Sequence, residues 1–209
     1  MKDLFYGVNA GLLIGIGGTV YLSLASLGAG CKIAGAVLFA VALICICAKG
    51  YSLYTGKVGF MAYAHGAGDF AALGCCLLGN IVGTFAAGVL IRFALPAVGV
   101  AAETLCDAKL EQEIPTAFIR ALFCGILMYL AVAVYREKST YIGILFCVPV
   151  FILCGFEHSV ANMFYFAVAG KLSLQTALYL AVIVLGNSVG GLLLPILGMA
   201  AEIGSGKSK

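Results

Sequence analysis

Residues 155–166 read GFEHSVANMFYF and set Glu157 and His158 in the middle of an otherwise apolar stretch, with Tyr141–Cys154 before them and Ala161–Ala169 after. The 29 residues from Tyr141 to Ala169 would make a continuous helix about 44 Å long, against a hydrocarbon core of ~30 Å. A plain spanning helix needs neither that length nor an ionisable pair at its centre. The economical reading is a broken helix, with Gly155 at the break and the pair beside it. Irregular backbone at membrane depth is tolerated only where protein or a water-filled cavity satisfies its polar groups. Intramembrane ionisable residues are costly and mark functional positions. The stretch therefore predicts a pore or a binding site centred on His158.

Composition agrees with the class. Of 209 residues, 63% are hydrophobic and 10% charged, which describes an integral membrane protein. The 28 glycines suit close helix approach. A net charge of +3 with no basic stripe excludes a nucleic-acid partner. The first apolar run is too long for a signal-peptide core and is expected to remain as a span. Most of the nine cysteines lie inside apolar runs, where they act as small hydrophobes. Without metal-ligand spacing they predict no metal site, and no cofactor is expected.

Taken in order, span one runs from about Gly7 to Leu27, with Gly11, Gly15 and Gly18 on a small-residue face. The turn Gly28–Lys32 leads to the apolar Ala34–Ala48. There the pattern breaks at KGYSLYTGK, Lys49–Lys57, before apolar residues resume through Ala64. This predicts a second broken helix, the counterpart of the one at His158. His65–Asp69 reads as a polar loop with His65 in solvent. Span three is Phe70–Leu95, ended by Pro96. Glu103–Glu113, with four acids to one lysine, reads as a solvent-exposed loop. Span four is Thr116–Val134, span five Tyr141–Ala169, span six Gln175–Ala200.

Six spans put both termini on one side. Lys2, Arg136, Lys138, Lys207 and Lys209 would share it, against Lys32, Lys109 and Lys171 on the other, so both termini are expected in the cytoplasm of a cytoplasmic-membrane protein. An internal echo supports a repeat. Gly79-Asn80-Ile-Val-Gly83 in span three resembles Gly186-Asn187-Ser-Val-Gly190 in span six. The expected architecture is a single all-α transmembrane domain over residues 1–209. It would form a 3+3 inverted repeat, residues 7–95 and 116–200, with spans two and five broken near midplane.

The GFEHSVANMF motif, the Leu53-Tyr54-Thr55-Gly56 loop and the glycine–asparagine pairs resemble the formate/nitrite transporter family over about residues 8–200. The resemblance implies an aquaporin-like protomer and a homopentamer with a pore in each subunit. It implies that His158 is the central pore histidine and that Thr55 faces it. Leu43, Leu53 and Tyr54 would form the cytoplasmic constriction, and Phe39 and Phe151 the outer one. Glu157 and Asn162 would brace the second break, with Asn187 near the pore; these and Thr55 are the expected polar pore residues. Three positions depart from the family pattern: Tyr54 for phenylalanine, Glu113 for an outer lysine at span four, and Tyr129 for an asparagine. With termini this short, no N-terminal gating helix is expected.

A charge entering apolar rings loses its hydration at a cost that protonation removes. Histidine titrates near ambient pH. The expected function is a passive or proton-coupled channel for anions of weak acids, namely formate, nitrite or hydrosulfide, with lactate or acetate as further candidates. The expected partners are these anions, the lipid bilayer and further copies of the chain. The alternative is a non-conducting sensor or scaffold on the same fold. No catalytic residues are expected. The adjacent His158-Ser159 cannot easily form a nucleophile–base pair, and no HExxH motif occurs.

Overall fold

Small residues at close spacing let two helices meet backbone to backbone, and the chain uses this twice. Helix α1 (Lys2–Ala25) is followed by α2 (Ala29–Lys49). Next come a one-turn helix, α3 (Tyr54–Lys57), a 3-10 turn at Val58–Ala62, and the long α4 (Ala67–Ala94). Then come α5 (Pro96–Leu110), α6 (Ile114–Lys138), α7 (Ile142–Leu153), α8 (Ser159–Ala169) and α9 (Leu174–Gly204). The computed structural model describes residues 1–63 and 66–204. His65 and the tail lysines Lys207 and Lys209 lie outside them.

Helix α1 packs along α4, and α6 along α9. Gly79 and Gly83 of α4 abut the carbonyl oxygens of Leu4 and Val8 on α1, leaving no room for a Cβ. Gly186 and Gly190 of α9 stand in the same relation to Phe118 and Leu122 of α6. Such close approach is what small residues supply where lipid offers no hydrophobic drive between helices. The two five-residue echoes are thus two instances of one packing device.

Among the described residues, α1, α2, α4, α6 and α9 are each long and apolar enough to cross a membrane. Helices α7 and α8 have 12 and 11 residues, about 18 and 17 Å, well short of ~30 Å. Their apolar side chains pack into the bundle, where Phe151, Phe164, Phe166 and Val160 are buried.

Two expected connections differ from the structure. The segment Glu103–Glu113, read as an exposed loop, is mostly helical, because α5 continues to Leu110. Pro96 opens that helix at its first turn, where the missing N–H costs nothing. Val98, Ala102, Cys106 and Lys109 recur on one buried face. Counting acids across the stretch concealed that period. The turn expected at Gly28–Lys32 is likewise shorter, since α2 starts at Ala29 behind Gly28, whose φ is 125°.

Candidate functional site

Two gaps in the helices face each other inside the bundle. In the first, α2 ends at Gly50 with φ 65°, and the chain runs through Tyr51 and Ser52 to Leu53, the extended N-cap of α3. In the second, α7 ends at Cys154, Gly155 follows with φ 69°, and His158 is the extended N-cap of α8. Positive φ at both glycines turns the chain out of helix without Cβ strain.

Extended backbone inside a bundle leaves N–H and C=O groups to be satisfied, and one asparagine serves each gap. Asn80 Oδ1 accepts from Tyr54 N (2.8 Å). Its Nδ2 donates to the carbonyls of Ser52 and Gly7, both at 2.9 Å. Asn187 Oδ1 accepts from Ser159 N (2.8 Å). Its Nδ2 donates to the carbonyls of Glu157 and Ala121, both at 2.8 Å. Three of the four polar valences of each amide are spent on backbone.

His158 caps α8 with its own ring, Nδ1 accepting from Ala161 N at 3.0 Å. A nitrogen that accepts an amide N–H carries no proton, so the neutral ring holds its proton on Nε2. Nε2 lies 2.9 Å from Thr55 Oγ1, across the bundle on α3. The ring is stacked on Phe151 at 5.3 Å, and Phe151 meets Phe39 edge-on at 6.2 Å. His158 and Thr55 are both essentially inaccessible.

A cavity of about 140 Å³ opens from His158 toward the end of the bundle away from the N-terminus, lined also by Phe151, Asn162, Lys109, Tyr21 and Tyr165. A second cavity, about 290 Å³, lies toward the N-terminal end and includes Leu43, Leu53, Tyr51, Lys57 and Arg136. The two share no lining residue. Thr55, two residues after Leu53 of the second cavity, is bonded to His158 of the first and so lies between them.

Other candidates take different positions. Phe39 is buried behind Phe151 and lines neither cavity. Tyr54 also lines neither. Its hydroxyl donates to Ser188 Oγ at 2.8 Å, because Ser188 commits its own proton to Val184 O. Asn187 is fully buried beneath the second gap. Glu157 does not line the cavity but is held in a cluster beside it. Its Oε2 accepts from Lys109 Nζ (2.5 Å) and Asn162 Nδ2 (2.7 Å), and its Oε1 from Gln112 Nε2 (2.9 Å). Arg120 joins this cluster by donating to Gln112 and by offering its carbonyl to Glu157 N.

Lys109, Gln112 and Asn80 were absent from the residues expected at the site. The position assigned to the outer lysine held Glu113, which caps α6 at the exposed surface; the ammonium near the gap comes from α5 instead. A signal was present. A carboxylate as buried as Glu157 requires a cation, and Lys109 is the lone base in its acidic segment. Tyr129, at the other departure, packs on Phe60 and bonds Tyr63 Oη at 3.0 Å.

The whole arrangement has relatives. The fold matches a pentameric formate channel with formate bound at a TM-score of 0.81 and 23% identity, over 99% of this chain and 97% of that one. It matches an FNT family ion channel at 0.83 and 24% identity, over 94% and 89%. The nitrite transporter NirC of Escherichia coli K12 is 30% identical over 144 residues, 63% of this chain and 54% of the relative. The uncharacterized transporter YwcJ of Bacillus subtilis 168 is 29% identical over 150 residues, 65% and 59%. The chain therefore spans little more than half the length of the curated relatives it matches. The profile of the formate/nitrite transporter family matches residues 1–201, and the chain belongs to that family of membrane transporters.

Proposed function

We propose that the chain forms a pore for small monovalent anions of weak acids, in the class of formate, nitrite and hydrosulfide. The pore crosses the membrane within one protomer. It is built from six spans, of which the second is α2 with α3 and the fifth α7 with α8. The halves, residues 7–95 and 116–200, are inverted repeats of a single domain. Five protomers assemble, each with its own pore, and both termini face the cytoplasm. Leu43 and Leu53 form the inner constriction. Phe39, through its contact with Phe151, sets the width of the outer one.

The observation that carries this reading is the His158–Thr55 contact at 2.9 Å between two cavities that share no lining residue. An anion reaching His158 must continue between apolar walls. Its charge there costs many kcal/mol, and protonation removes most of that cost. The proton His158 presents is on Nε2. A proton taken up first on Nδ1, with release of Ala161 N–H, makes the ring acidic enough to give the Nε2 proton to the anion. The neutral acid then passes Leu53 and ionises in the next cavity. Thr55 holds the ring in line while no substrate is present.

His158→Asn tests the step. Asparagine can still cap α8 and approach Thr55, but it does not titrate. Weak-acid uptake into proteoliposomes should collapse between pH 5 and 8, and any residual current should carry net charge without pH dependence. Flux with its pH profile intact would make the histidine a brace and end the proton-donor reading.

A further inference from the structure

At the end of the bundle that holds the His158 cavity, nearly every base is already committed to an acid. Lys109 is paired with Glu157, Lys171 with Asp107, and Arg92 with Glu103. Arg120 donates to Gln112. Lys32 differs. Among the described residues it has neither an ion pair nor a side-chain hydrogen bond.

Its place on the helix makes this more telling. Lys32 is in the first turn of α2, where no acid accompanies it. The helix dipole makes that turn positive, so a cation there is disfavoured by the helix that carries it. Local stability gives no reason for a lysine at this position. Its surroundings do. Lys32 lines the 140 Å³ cavity that ends at His158. It also lines an adjoining cavity of about 440 Å³ bounded by Ala101, Thr104 and Ala108 of α5. Tyr21 and Leu105 are the other residues common to both. Lys32 thus stands where the wider cavity narrows toward the histidine, its ammonium adding to the field of the α2 N-terminus.

We infer that Lys32 is the capture site for the incoming anion, binding a small monovalent carboxylate- or nitrite-like ion at the neck between the two cavities before it reaches His158. Lys109 lines the inner cavity too, but its charge is neutralised by Glu157 at 2.5 Å, and a tight pair projects little field beyond itself. Lys32 projects a full charge. The role rests on the anion-pore reading above. It acts before the chemical step, so it governs how much anion is required rather than how fast a loaded pore turns over.

The test is initial uptake of nitrite and of formate by proteoliposomes over a range of concentrations. Wild type is compared with Lys32→Gln, Lys32→Glu, Lys32→Arg and the control Lys171→Gln. Lys32 is on the accessible rim, and glutamine or glutamate suits a helix N-terminus better than lysine, so the variants keep the fold. Lys32→Gln should raise the apparent KM about threefold to tenfold with the maximal rate unchanged, since one focused charge sets the local anion concentration. Lys32→Glu should raise it further, and Lys32→Arg should match wild type. Inert salt near 0.5 M should shrink these differences as screening shortens the field. Wild-type KM values in both Lys32→Gln and Lys32→Glu would overturn the inference while leaving the pore intact. So would an equal rise in Lys171→Gln, or a fall in maximal rate at constant KM. A wild-type protein that moves neither anion would overturn the pore reading itself, and the capture site with it.

Discussion

The first gap, around Leu53, and the second, around His158, share a frame and differ in content. Asn80 and Asn187 make the same three hydrogen bonds: one to the first residue of the following helix, one to the carbonyl two residues before it, and one to a carbonyl of the neighbouring long helix. Within this frame Leu53 corresponds to His158, Ser52 to Glu157 and Tyr54 to Ser159. The first gap has an apolar centre, and its nearby charges, Asp3 and Lys57, pair at 3.0 Å with 34% and 44% of their side chains exposed. The second has an imidazole, and its charges, Lys109 and Glu157, are buried. The frame is generic scaffolding for unwound backbone. The imidazole stands in one copy of it, and the other supplies Thr55 as its hydrogen-bond partner.

If the frames are equivalent, Asn80→Ala and Asn187→Ala should be equally severe. Each leaves three backbone groups unpaired in the bundle, at about 1–3 kcal/mol apiece, so neither variant should yield folded protein in detergent by size exclusion. One tolerated and one lost would break the equivalence.

The charges should behave unequally. Glu157→Gln leaves Lys109 buried without a counter-charge, which typically costs about 3–5 kcal/mol, or on the order of 10 °C in melting temperature. Removing both charges, as Lys109→Met with Glu157→Gln, should recover much of that loss. Asp3→Asn should cost about 0–1 kcal/mol, because an exposed pair is already solvated. A fall as large in Asp3→Asn as in Glu157→Gln would show that exposure does not separate the two gaps.

This asymmetry also explains what the sequence displays and what it conceals. Family membership is legible in GFEHSVANMF. The membrane class is legible in the apolar runs, because both are local patterns. Glycine–asparagine repeats announce that something recurs, but not that Asn80 and Asn187 bind the gaps, because their partners lie 26 to 73 residues away. Lys109 is concealed for a different reason. Its acidic neighbours Glu103, Asp107 and Glu111 are partly or fully exposed and raise the charge of the segment to that of a loop. The buried face of Val98, Ala102 and Cys106 that carries Lys109 inward is set by helical period. Composition averages over both faces.

Smaller effects are expected at the first residue of each half-helix. Tyr54→Phe removes the bond to Ser188, which keeps its own bond to Val184 O, so the loss should be about 1 kcal/mol. Ser159 Oγ is buried without a partner among the described residues, so Ser159→Ala should be neutral or slightly stabilising. Paired melting curves decide this. A loss in Ser159→Ala exceeding that in Tyr54→Phe would mean that the second frame uses its hydroxyl after all.

The smallest effect concerns a pair outside both gaps. Lys171, in the turn between α8 and α9, is held above its ordinary pKa of 10.5, chiefly by its hydrogen bond to the Asp107 carboxylate on α5. A raised pKa in the folded protein means that the contribution is present in full below 10.5 and is lost only as pH rises through the higher folded value. Across pH 5–8 it is therefore constant. The pair is exposed, so it adds little even there. Asp107→Asn should leave both the melting temperature and the pH profile of uptake unchanged in that window. On the proposed proton-donor reading, the titration that shapes uptake belongs to the second gap, where His158 lines the cavity, and Asp107 joins neighbouring elements at the same end of the bundle. A pH profile displaced by Asp107→Asn would place that titration outside the gap, and the contrast between Leu53 and His158 would no longer account for it.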